Sequence, residues 1–260
     1  MSQERKSKRR ERRAKVAQQE RRNRLVIIGL VTLGAIMLVA AIVWPQLKPI
    51  ATIVTVDPGT HPNPKDNSMG DPNAPIKIEE FADFQCPYCE RFHQETEPLL
   101  RQYYIDTGKV QFTFRSVGNF VSDNIARAQA TTPTTESQDA ALAAYCAGDQ
   151  NKFWDMHAYL FANALGEDAG SFTDRRLKAI AEKAGLNTGQ FNSCYNSGKY
   201  RDRVQQDAQD GKTNNVTGTP TFIITYQVNG ETKTDRLDGA QPFSAFQQEL
   251  ETALSQIAAK

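Results

Sequence analysis

The sequence predicts an α/β sandwich with an inserted helical subdomain, preceded by a single N-terminal transmembrane helix. Three observations carry this. A stretch of twenty residues without charge, 25–44, follows a basic tail. Two strand-like runs, 76–84 and 110–117, enclose a helix-like run, and a second strand pair is joined by Asn229-Gly230. Between the two strand pairs, about residues 122–215 carry helical patterning broken by Gly, Asn and Asp clusters.

The N-terminus sets the compartment. Residues 1–24 hold eleven Lys or Arg against three Glu, so the tail carries +8 within a chain total of +1. At about 1.5 Å per residue, 25–44 makes roughly 30 Å of helix, enough to cross a bilayer. The positive-inside rule puts the tail in the cytoplasm and everything after Trp44 outside. A cleaved signal peptide and a nucleic-acid-binding arm are the competing readings. A signal peptide usually has an apolar core of about 7–15 residues and a small-x-small cleavage site. This core is longer and runs into Trp44-Pro45-Gln46-Leu47-Lys48. A retained anchor is favoured, with membrane lipid and not nucleic acid as the partner of residues 1–44.

Residues 45–75 hold seven of the twelve prolines and read as an extended, solvated tether, with 50–56 a candidate edge strand. The folded domain is expected over 76–260. In the first strand Ile76, Ile78, Glu80, Ala82 and Phe84 share a face. Glu80 is expected to be buried, because Ile78, Phe81 and Phe84 imply a covered sheet; a solvated strand end is the alternative. Residues 90–104 read as helix, with Phe92, Leu99, Leu100 and Tyr103 as its buried stripe. In the insert, helices are expected at 138–147, 153–163, 174–185, 190–196 and 199–211. Thr173 is an N-cap candidate there, and 131–137 reads as a surface loop. Strands at 221–228 and 232–237 flank the Asn-Gly turn, a strong hairpin signal. A last helix covers 242–258.

The chemistry lies in Cys86-Pro87-Tyr88-Cys89, between the first strand and its helix. Thiols at i and i+3 at a helix start can pair without unwinding it. Unpaired N–H groups and the helix dipole favour thiolate there. Pro87 suits the first helical position, where its missing N–H had no partner. Thiol–disulfide exchange needs such a pair, one exposed acidic thiol and one sheltered thiol. Zinc is disfavoured, since Cys146 and Cys194 stand alone, without the second CxxC or paired His of a tetrahedral site. In an oxidising compartment these two cysteines, in separate insert helices, are expected to form a structural disulfide. Two independent buried cysteines are the alternative.

The chain resembles the DsbA-like branch of the thioredoxin superfamily, in particular the membrane-anchored DsbA-type proteins of bacteria. The matching stretches are Gly70-Asp71-Pro72-Asn73-Ala74-Pro75, Phe81-Ala82-Asp83-Phe84-Gln85-Cys86-Pro87-Tyr88-Cys89, Gly148-Asp149-Gln150-Asn151-Lys152-Phe153-Trp154 and Val216-Thr217-Gly218-Thr219-Pro220-Thr221-Phe222. The resemblance implies a thioredoxin fold with a helical insert, and an extracytoplasmic dithiol–disulfide oxidoreductase that needs no cofactor beyond its Cys86–Cys89 disulfide. It makes Cys86 the nucleophile, Cys89 the resolving thiol, Glu80 the buried acid beneath them and Pro220 a cis-proline beside them. Thr219, Pro87 and Tyr88 then face the substrate. The Pro87-Tyr88 dipeptide departs from the Pro-His of strong oxidases, and Tyr88 cannot become cationic.

Expected partners are reduced or misoxidised secreted proteins and a quinone-linked membrane protein that reoxidises the pair. Oxidase, reductase or isomerase, and redox-idle peptide-binding chaperone stay open as roles. Among other candidates, His93 reads as a packed or solvated helix residue, His157 as a satisfied core histidine and His61 as part of the tether. Asp83 is a thiolate tuner, a cation ligand or a solvated loop acid.

Overall fold

The computed structural model describes residues 2–47 and 49–259; Met1, Lys48 and Lys260 lie outside it, as do the basic side chains before Lys15. The chain forms two units, residues 1–50 and everything from Ala51 on. The first is one helix, α1 (Ser2–Leu47). Its segment Gln18–Trp44 is 27 residues long and apolar enough to cross a membrane. A signal sequence meets the same test.

The second unit is built on a five-stranded sheet in the order β1-β3-β2-β4-β5. The strands are β1 (Ser68–Met69), β2 (Ile76–Ala82), β3 (Val110–Ser116), β4 (Thr221–Val228) and β5 (Glu231–Asp238). β2 and β3 are parallel; the other neighbours are antiparallel. A parallel pair needs a crossover. It consists of α2 (Pro87–Glu95), α3 (Glu97–Leu100) and a π-helical turn, Arg101–Ile105. The β4–β5 hairpin turns at Asn229 and Gly230, both with positive φ (53° and 80°), as a two-residue turn of this hand requires. The insert holds α4 (Phe120–Gln129), α5 (Glu136–Gly148), α6 (Phe153–Ala162), α7 (Asp174–Lys183), α8 (Thr188–Ser197) and α9 (Arg201–Thr213), and α10 (Phe243–Ala258) follows β5.

Register decides what each sheet face sees. Glu80 pairs across to Phe114 on β3 and to Phe222 on β4, so it shares their face. Phe92 of α2 packs on Phe112 and Phe222, Phe246 of α10 on Phe222, and Phe153 of α6 on Phe114. All these rings are fully buried, each worth about 1.5–3 kcal/mol of transfer free energy. The opposite face carries a smaller cluster of Phe81, Val117 and Ile223. Beside it Arg115 bridges Glu79 (2.6 Å) and the buried Asp207 of α9 (2.9 Å).

The fold departs from the sequence expectations in five places. First, 50–56 forms no strand; the short edge strand is β1, paired to β3. Second, the Pro-rich segment is docked from Ala51 onward instead of free. Arg176 donates to the Ala51 carbonyl (2.8 Å), and Asn163 bonds both backbone groups of Val54 (2.7 and 3.1 Å). Gly70 makes the closest approach: at its φ of +96°, a Cβ would meet the Val110 carbonyl at 2.5 Å.

Third, the helix expected over 90–104 breaks at Thr96 and ends in a π turn. Each irregularity shifts the helical phase. The buried positions are therefore Phe92, Leu100, Tyr104 and Ile105, while Leu99 and Tyr103 are exposed. Fourth, α4 forms where no helix was assigned, and Glu136 and Ser137 belong to α5, buried, not to a surface loop. Fifth, Thr173 occupies the N-cap of α7 but its side chain makes no capping bond.

Cys146 on α5 and Cys194 on α8 are joined as a disulfide, with Cα atoms 5.8 Å apart. The bond ties two helices 48 residues apart in sequence. The chain-entropy model assigns such a loop about 4 kcal/mol. Replacing both cysteines by Ala should lower the stability of the domain by about 2–5 kcal/mol. Thermal unfolding of the full chain in detergent checks this, and an unchanged midpoint would show that the bond carries none of the insert's stability.

Candidate functional site

β2 ends at Ala82 and α2 begins at Pro87, so the intervening loop has to place Cys86 at the helix start. Asp83 organises that loop. Its carboxylate accepts from the backbone N–H of Gln85 (2.9 Å) and Val121 (3.0 Å) and from the Ser137 hydroxyl (2.7 Å). Its carbonyl accepts from the Cys86 N–H (3.0 Å). Burial raises its pKa to about 6, although the three bonds to the carboxylate pull the other way. Asp83 is therefore no solvated loop acid. Gln85 extends the tie: its amide donates to the hydroxyls of Ser122 (2.9 Å) and Ser137 (2.8 Å), and its carbonyl accepts from the Asp168 N–H (2.6 Å). The insert thus grips the loop that carries the first cysteine.

Cys86 is the N-cap of α2 and Pro87 its first residue. Both motif cysteines are free thiols, and both are buried. Cys86 is more covered than expected, at 5% exposure against 0% for Cys89. Across from it lies the loop before β4, where the Thr219–Pro220 peptide is cis and the Thr219 carbonyl accepts from the Cys86 Sγ at 3.4 Å. A hydrogen bond with the Cys89 side chain does most to lower the Cys86 pKa to about 7. Burial opposes it, and the Thr219 side chain and the helix-start amides of Cys89 and Tyr88 reinforce it. Cys89 moves the other way: burial, then its bond with Cys86, pushes its thiol well above the ordinary range. Glu80, 2% exposed, is also pushed well up, by burial first and then by the charges of Glu97 and Cys86.

The end of β2, the start of α2 and the start of β4 thus gather Glu80, Cys86, Cys89, Thr219 and Pro220. Pro87 and Tyr88 are exposed beside them, with the Arg91 guanidinium 5.2 Å from the Tyr88 ring centre. A groove lined in part by Val117, Phe120, Val216 and Thr217 adjoins the Thr219 loop. Cys146 and Cys194 belong to the insert and not to this constellation.

The histidines differ from their expected places. His157 is buried, yet neither ring nitrogen has a hydrogen-bond partner among the described residues, so it is not a satisfied core histidine. His61 is stacked on Trp154, with centroids 5.6 Å apart, and not loose in a tether. His93 Nδ1 lies 2.6 Å from Glu97 Oε2. Sequence reasoning passed over Glu97, although its i, i+4 spacing from His93 was readable. It also passed over Ser122, Ser137 and Asp168, which come together only through the insert.

The family model described as Thioredoxin matches residues 62–240. The Na(+)/H(+) antiporter NhaA 1 of Salinispora arenicola is 29% identical over 179 residues, which cover 67% of this chain but only 23% of that relative's length. A protein named "Probable disulfide bond formation protein D" from Bacillus anthracis is 26% identical, over 60% of this chain and 68% of its own. The crystal structure of Wolbachia pipientis alpha-DsbA1 superposes with a TM-score of 0.61 at 23% identity, covering 76% of this chain and 95% of that one. The match over residues 62–240, together with the sheet, the helical insert and the CxxC at the start of α2, means that the chain belongs to the thioredoxin family and has a DsbA-like thioredoxin fold.

Proposed function

We propose that this chain is a membrane-anchored, extracytoplasmic thiol–disulfide oxidoreductase that oxidises cysteines of secreted proteins. The observation that carries the reading is the opposite displacement of two adjacent thiols, Cys86 down and Cys89 up, over a buried Glu80. In the oxidising direction a client thiolate attacks the Cys86 sulfur of the Cys86–Cys89 disulfide. A mixed disulfide forms, and Cys89 leaves with the electron pair. Glu80, kept protonated by desolvation, is placed to supply the proton that Cys89 takes up. A second client thiolate then attacks its own bridged sulfur and releases Cys86 as thiolate. The client is oxidised by two electrons and the enzyme reduced. The exposed Pro87 and Tyr88 and the Thr219 loop are the surfaces a client segment would meet. Reoxidation falls to a quinone-linked membrane protein, and α1, lying among anionic lipids through its basic tail, holds the domain at the membrane where that partner resides.

A second reading, disulfide reductase or isomerase, is favoured by one observation. The Cys86 pKa of about 7 lies near that of thioredoxin, about 7, and far from that of the strongest oxidase of the family, about 3.5. The reduction potential of the full chain, equilibrated with glutathione buffers in detergent, separates the two. A value more oxidising than about −200 mV supports net oxidation, and one near −270 mV supports reduction.

The lowered Cys86 pKa predicts its own pH profile. Thiolate absorbance or alkylation of the reduced protein should titrate with a midpoint near pH 7 and not near 9.0. The sign follows for stability: a depressed pKa stabilises the reduced fold above the ordinary thiol value. That contribution, about 3 kcal/mol for two pH units, is lost as pH falls from about 9 through about 7. A midpoint of 8.5 or higher would remove the basis for Cys86 as nucleophile. Glu80→Gln should slow the step in which Cys89 exchanges its proton by about a hundredfold and leave attack at Cys86 nearly unchanged. Rapid-mixing measurement of the two phases reads this, and equal slowing of both would rule out Glu80 as the proton-transfer group.

A further inference from the structure

A second cluster of ionisable side chains lies about two turns along α2 from Cys86, on the same face of the helix. His93 comes from α2, Glu97 from α3 and His157 from α6, and one ligand atom from each lies within 4.8 Å of the others. The two innermost members are under-used. His157 and Glu97 are each 2% exposed; neither nitrogen of His157 has a hydrogen-bond partner among the described residues, and neither does Glu97 Oε1. The nearest cation to that oxygen is Arg101 at 3.9 Å, beyond hydrogen-bond range. Buried polar atoms left without partners are rare in folded proteins, and three at one spot call for a specific explanation. Rings of Phe84, Phe114, Trp154 and Phe161 lie 4.9–5.6 Å from the His157 ring and offer its nitrogens no polar partner.

We infer that His93, Glu97 and His157 form a binding site for a divalent transition ion, with zinc the best match to the donors. Two imidazoles and one carboxylate are a zinc donor set. The absence of a cage of oxygens argues against calcium or magnesium. Tetrahedral coordination at about 2.0–2.1 Å spaces ligand atoms about 3.3 Å apart, within reach of side-chain rotation from the present spacing. An ion would satisfy His157 and Glu97 together. His61, stacked on Trp154, interacts electrostatically with Glu97. The ion would clamp the active-site helix to α6 of the insert, seven residues beyond Cys86.

The test uses the full chain in detergent with Cys86–Cys89 oxidised, so that no motif thiolate can compete for metal. After chelator treatment it is titrated with Co2+ and then with Zn2+. The expected result is one equivalent bound, with ligand-field bands, no sulfur charge-transfer band, and displacement of cobalt by zinc. Glu97→Gln keeps the side-chain volume and His157→Phe keeps an aromatic ring in the cage. Each should weaken binding by on the order of a hundredfold or more, the upper end of what losing even an outer-shell partner costs, with the metal-free circular dichroism unchanged. No uptake by the oxidised chain, or equal uptake by Glu97→Gln, would overturn the site. Uptake confined to the reduced chain with sulfur bands would move the metal to the cysteines and equally refute it.

Discussion

Dryness at the end of β2 is the constraint on which the site depends. A central strand with aromatic layers against it delivers Glu80, and then Cys89, into a region where charge is costly. The proton on each is therefore held more tightly than in water. Only Cys86, at the helix start, meets enough N–H groups and a neighbouring thiol to shift the other way. The asymmetry between two cysteines three residues apart thus comes from burial at Cys89 and from hydrogen bonds at Cys86. Loosening the packing around Phe92 or Phe222 would bring the two thiols closer together in acidity without touching either.

Much of this was legible because it is local. The strands announced themselves by alternation and by β-branched and aromatic residues, and the hairpin by Asn229-Gly230. The CxxC drew attention because a strand-like run precedes it and a helix-like run follows. What stayed hidden is long-range or irregular. β1 is two residues long, too short for any periodicity. α4 contains Ser122, Asp123 and Asn124, which favour turns and caps over helix interiors. The phase shift that exposes Leu99 and Tyr103 follows from a break and a π turn that no 3.6-residue pattern contains. His93 and His157 are 64 residues apart in sequence, and only the packing of α2 against α6 brings their rings to 4.7 Å.

The insert does more than lengthen the chain. Through Asp83 and Gln85, α4, α5 and the segment at Asp168 hold the loop before Cys86, while the Cys146–Cys194 bond joins α5 to α8. The position of Cys86 is thereby coupled to helices far from it in sequence. The docked segment beyond Ala51 adds a further tie, since Arg176 and Asn163 lend their side chains to backbone groups that would otherwise need water.

β5 forms one edge of the sheet, and its residues are largely charged or polar and solvent-exposed. Lys233 pairs with Glu231, and Arg236 with Asp238, along the strand. An open strand edge is a template for another chain's backbone, and a protein proposed to handle unfolded clients meets such backbones constantly. Ionic side chains on that edge make strand addition there unfavourable. Two copies of the domain therefore have little incentive to zip together along β5.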